Sequence, residues 1–80
     1  MKKDGLERML DFLNYFEEKG IHFFLEQISP DSIQATLTLV GMRIEVAFFV
    51  HEIQFSVFRG SEAVEIDEDI LKKLIEENWD

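Results

Sequence analysis

From Ile33 to Arg59 the chain alternates apolar and polar residues with period two for almost its whole length. A stretch like this folds as antiparallel strands with one buried face and one wet face. In its first part the odd positions are apolar (Ile33, Ala35, Leu37, Leu39) and the even ones are Gln34, Thr36 and Thr38. After Val40-Gly41 the phase switches, and Met42, Ile44, Val46, Phe48 and Val50 become the apolar set. A two-residue turn at Val40-Gly41, with Gly41 supplying positive φ, sets Leu39 opposite Met42, Leu37 opposite Ile44 and Ala35 opposite Val46. A one-residue slip would turn the whole apolar set to water, so this register is strongly specified.

A second hairpin follows. With His51-Glu52 as its loop, Val50 faces Ile53, Phe48 faces Phe55 and Val46 faces Val57. Phe49 then pairs with Gln54, Ala47 with Ser56 and Glu45 with Phe58 on the outer face. Neither His51 nor Glu52 readily takes the positive φ of a two-residue hairpin turn, so the hairpin is better specified than its loop length. Phe49 and Phe58 are aromatics on an otherwise polar face, and they mark a candidate partner-binding patch unless the tail with Trp79 covers them.

The flanks read as helices. Over Gly5 to Lys19, Leu6, Met9, Leu10, Leu13 and Phe16 form a core-facing stripe that Phe12 and Tyr15 widen. Asp4 is the candidate N-cap, and Lys19-Gly20 the stop. Ile21 to Ile28 (IHFFLEQI) reads as a further strand, its alternation broken by Phe24, with Ser29-Pro30-Asp31-Ser32 turning it back along Ile33 to Leu39. Gly60 to Val64 reads as a connection. A second helix runs from an Asp67 N-cap to about Asn78, burying Ile70, Leu71, Leu74 and Ile75, with Ile66 and Leu71 as a hydrophobic staple and Glu68–Lys72 and Asp69–Lys73 as supporting pairs.

Burying the apolar sheet face under both helical stripes gives an α+β two-layer sandwich. It is a single domain spanning residues 1–80, an antiparallel meander of three to four strands with both helices on one face. Its order is α-β-β-β-β-α, or α-β-β-β-α if Ile21 to Ile28 is not a strand.

The chain carries 17 acidic and 8 basic residues, a net charge of −9. Nucleic-acid backbones and anionic membrane surfaces both demand a basic footprint, so neither is an expected partner. No signal segment or membrane-length apolar run is visible. The absence of cysteine excludes disulfides and thiolate metal sites and suits a cytoplasmic protein. His22 and His51 are the only side chains that titrate near neutrality by type, and no motif brings them together with carboxylates. Serines and glycines fall in no nucleophile-elbow or phosphate-loop pattern. No enzyme activity, cofactor or metal is expected.

Residues 61–80 hold eight acids and two lysines, −6 of the chain's −9. The functional expectation is a small acidic, non-catalytic module that binds a partner protein through the outer sheet face or an edge strand, a homodimer being one form of this. The alternative is an inhibitor or immunity-type protein that docks its acidic C-terminal helix on a basic enzyme such as a nuclease. The residues that carry these expectations are Phe49 and Phe58 on the sheet, and Glu68, Asp69, Glu76 and Glu77 on the helix.

Overall fold

The computed structural model describes residues 5–39 and 41–78. In chain order it has helix α1 (Gly5–Glu18), strands β1 (Phe23–Ser29), β2 (Ser32–Leu39), β3 (Met42–Phe49), β4 (Ile53–Arg59) and β5 (Glu62–Ile66), and helix α2 (Glu68–Asn78). The strands make one antiparallel sheet in the order β1-β2-β3-β4-β5. The helix–meander–helix sandwich is therefore the fold, with one strand more than expected. Gly60 to Val64 is not a mere connection. Gly60 takes φ 69° and turns the chain back, so that Glu62 opposes Arg59, Val64 opposes Val57 and Ile66 opposes Phe55. Glu62 and Glu65 within these five residues blur the alternation that would have marked the strand.

The first hairpin has the expected register, Leu39 opposite Met42 through Ala35 opposite Val46, and it extends to Ile33 opposite Phe48. Gly41 adopts φ 76° in its turn; Val40 lies outside the described residues. The second hairpin differs. Its innermost ladder pair is Phe48 with Ile53, leaving residues 49–52 as a four-residue connection closed by the Phe49 N–H donating to the Glu52 carbonyl at 2.8 Å. Among the described residues no non-glycine residue has positive φ, so the primed two-residue turn is not used and the loop widens. The slip is two residues, which preserves the faces: Val46 now opposes Phe55 and Ile44 opposes Val57. Val50 leaves the core for the loop and is exposed.

One core lies between sheet and helices. The sheet gives Ala35, Leu37, Leu39, Ile44, Val46, Phe48, Phe55 and Val57, the helices Phe12, Phe16, Leu71 and Ile75. Phe12 joins the layers, its ring centroid 6.1 Å from that of Phe48 and 5.6 Å from that of Phe55. Burying each such side chain contributes about 1.5–3 kcal/mol.

Both helix junctions are locally determined. At the end of α1, Gly20 (φ 70°) donates to the Glu17 carbonyl and Ile21 to the Phe16 carbonyl, each at 3.0 Å. This double bond pattern is a Schellman stop, with Phe16 and Ile21 buried beside it. At the start of α2 the Asp67 carboxylate accepts from the Ile70 N–H at 2.8 Å, the expected N-cap. Leu71 is fully buried and Ile66 packs against the core. The Asp4 cap and Trp79 lie outside the described residues.

Two helical expectations are corrected. On α1, Leu6 and Leu10 are 62% and 47% exposed; the buried line runs through Met9, Phe12 and Phe16. On α2, Ile70 is 44% exposed, and Leu71 and Ile75 carry the burial. In both cases the apolar stripe is wider than the arc a helix lays on a sheet.

Candidate interaction surfaces

Phe49 and Phe58 both point to the outer face, yet they form no common patch. Phe58 opposes Arg43 rather than Glu45, a consequence of the two-residue slip. The Arg43 guanidinium sits 4.5 Å from the centre of the Phe58 ring and 3.3 Å from the Glu45 carboxylate, so this aromatic is already partnered. Phe49 is half-buried at the other end of β3, opposite the buried Ser32. Six residues of strand separate the two rows, about 20 Å. Between them Thr36 is buried and accepts a bond from the Gln34 amide at 3.3 Å.

The four acids on α2 divide into two pairs. Glu68 turns toward α1 and bridges Arg8 at 3.3 Å and Lys72 at 3.1 Å. Glu76 bridges Lys19 at 2.7 Å and accepts from the Tyr15 hydroxyl at 3.3 Å. The Lys19 contact holds the Glu76 carboxyl below its ordinary range, and the same contact raises Lys19. Burial, reinforced by the charge of Glu76, raises Tyr15. Asp69 and Glu77 are exposed. Lys72 closes with Glu68, whereas Asp69 and Lys73 make no ion pair among the described residues. Two of the four acids thus serve the helix–helix seam. The cleft of about 310 Å³ along that seam is lined by Arg8, Asp11, Tyr15, Glu68 and Lys72, where Glu68 bridges both Arg8 and Lys72.

The histidines do not meet. His22 precedes β1, whose Phe23 aligns with Leu37 and Ile44. His51 lies in the loop after Phe49, at the opposite end of the strands. Among the described residues no three His, Asp or Glu side chains converge as metal ligands would. None of the described helices is long and apolar enough to cross a membrane.

The feature missed in the sequence is the β1 edge. β1 pairs with β2 on one side and, among the described residues, with no strand on the other. Phe24 (59%), Leu25 and Ile28 (46% each) are exposed along it. Above it hangs one flank of α1. Arg8 and Tyr15 reach α2, so at about 100° per residue Leu6 and Leu10 fall on the far flank. There Leu6 shares a hollow with Gln27 and Pro30, and Glu17 one with Phe23, Phe24 and Leu25. Leu25 opposes Ala35 and therefore lies on the helix side of the sheet, beneath this flank. Leu25 shares that side with Leu6 and Leu10, while Phe24, opposite Thr36, is exposed on the outer face of the same edge and Ile28 at its end. The signals were present in the sequence: Phe24 breaking the alternation, and an α1 stripe too wide for one sheet to cover.

Comparison with protein-family models, curated proteins and solved structures finds no match to this chain.

Proposed function

We propose that the chain is a small non-catalytic protein-interaction module that engages its partner along the β1 edge. The observation that supports this is the open side of β1, along which Phe24, Leu25 and Ile28 are exposed, with Leu6 and Leu10 exposed on the α1 flank on the Leu25 side of the sheet. A bare edge offers a ladder of N–H and C=O groups, and adjacent apolar side chains add desolvation to strand addition. The outer face serves this role less well, because Arg43 already covers Phe58.

The test compares proteins retained from native lysate by the wild type, by Leu25→Lys and by Val64→Lys on the opposite edge. Species lost with Leu25→Lys alone support edge recognition. An identical set retained by all three variants rejects it.

A second reading, docking of acidic residues on a basic enzyme, is supported by Glu62, Glu65 and Asp69, exposed together around β5 and the start of α2. It predicts salt-sensitive binding that weakens on reversing Asp69 and Glu77. Charge reversal without effect on affinity for a basic partner counts against it.

A further inference from the structure

We propose that the occupant of the β1 edge is a second copy of this chain, its β1 running antiparallel about a two-fold axis at Leu25 so that the two meanders join in one ten-stranded sheet. This rests on the edge reading above and adds the identity and register of the partner.

Register is the first argument. An antiparallel pair related by a two-fold axis always opposes one residue to its own copy, and residues directly opposite share a face. The regular part of β1 is Phe23 to Gln27, because the ladder shifts between Gln27 and Ser29. Its midpoint is Leu25. Centring there gives the longest ladder: Leu25 against Leu25, Phe24 against Glu26, and Phe23 against Gln27. Centring on Glu26 opposes two carboxylates. Centring on Phe24 shortens the ladder and draws in His22, which lies outside β1.

The helical layer gives the second. The axis stands perpendicular to the sheet, so both helical layers stay on the same side. The two α1 flanks then face each other across the Leu25 pair, each presenting Leu10, with Leu6 toward Gln27 and Glu17 toward Phe23.

Charge gives the third. Each copy carries −9, so self-association must keep the acids apart. The β1 edge holds two acids, Glu26 on the strand and Glu17 on the α1 flank beside it, whereas residues 61–80 hold −6. In the joined sheet the two β5 strands lie nine strand spacings apart, roughly 43 Å. That is several times the Debye length of about 8 Å at physiological salt.

The area sets the strength. Five half-exposed apolar side chains supply on the order of a few hundred Å² per copy. With the strand backbones this reaches only the lower bound of stable interfaces, about 1,200 Å² in total. The dimer is accordingly concentration-dependent.

Sedimentation velocity over a concentration series, combined with cysteine crosslinking, tests the proposal. The chain contains no cysteine, so single variants report cleanly. Opposed Cα atoms in an antiparallel pair lie about 4.5–5.5 Å apart, within disulfide reach. Leu25→Cys should form a disulfide dimer on mild oxidation, and Val64→Cys should not. Leu25→Lys, at a half-exposed position, should keep the wild-type circular dichroism and weaken dimerisation by about tenfold or more. A wild type that stays monomeric at millimolar concentration overturns the proposal, as does a dimer indifferent to Leu25→Lys. More efficient crosslinking by Phe24→Cys than by Leu25→Cys overturns the register. A monomer whose lysate partners are still lost with Leu25→Lys removes the second copy but keeps the edge reading; indifference in both assays removes both.

Discussion

The two edges of this sheet are built to different rules. β5 exposes Val64 but carries Glu62 and Glu65 among its five residues, and at the start of α2 the exposed Ile70 follows the exposed Asp69. Charges on an edge strand are how sheets discourage unwanted pairing. β1 exposes Phe24, Leu25 and Ile28 with Glu26 as its one charge, and α1 adds Leu6 and Leu10 above it. The same chain therefore guards one edge and leaves the other apolar. Marginal core size does not explain the difference, since both edges flank the same core. The contrast supports the proposal that a partner strand pairs with β1.

The sharpest way to break this contrast is to compare residues on one helix. Phe16→Ala removes a fully buried ring that touches Phe12 and Phe23, and it should cost about 3–5 kcal/mol in denaturant unfolding. Leu10→Ala removes a half-exposed side chain on the β1 flank and should cost under about 1 kcal/mol in dilute protein. A large loss for Leu10→Ala at low concentration would mean that the flank belongs to the monomer's own core, and the bare-edge argument would fail.

How far the sequence reveals all this differs between the two edges. The β2–β3 register was legible to the residue, because period-two patterning on both strands and Gly41 agree. The Asp67 cap and the Gly20 stop were legible because one backbone bond pattern decides each. β5 was not, since two glutamates in five residues hide its alternation. The β3–β4 loop length was not, because a two-residue slip leaves every side chain on the same face and alternation is blind to it. The candidate site fared worst. Facing outward was readable for Phe49 and Phe58, but the cover of Arg43 over Phe58 depends on that undetectable slip. The exposure of Leu6, Leu10 and Leu25 depends on where α1 lies across the sheet, a tertiary property that helical periodicity does not contain.

The junctions next to the two edges give a finer comparison. Gly20→Ala forces a side chain into φ 70° at the turn that feeds β1, and should cost about 1–2 kcal/mol. Asp67→Ala deletes the cap where β5 passes into α2, and should cost about 1 kcal/mol. Hydrogen exchange distinguishes them by place: Gly20→Ala should lower protection in β1 and the end of α1, Asp67→Ala in β5 and α2. Uniform loss across the sheet in both variants would show that the halves unfold as one unit and differ only at their surfaces.

The smallest effect concerns the seam between the halves, where Glu76 joins Lys19 and Tyr15. The folded state lowers the Glu76 carboxyl, chiefly through the Lys19 contact. A depressed carboxylate stabilises the fold above its unfolded value and loses that contribution as pH falls through the lowered one. Lys19 is raised by the same contact, so its contribution holds below the ordinary lysine value and disappears as pH rises through the raised one. Tyr15, raised by burial and by Glu76, fails in the same alkaline direction. Glu76→Gln should therefore lower the melting temperature slightly across neutral pH. The gap from wild type should close in acid, once Glu76 itself is protonated, and again at strongly alkaline pH. Because both charges are solvent-accessible, the neutral-pH gap should also shrink with added salt. A gap that ignores both pH and salt would assign Glu76 a packing role and leave the two helices joined by their apolar faces alone.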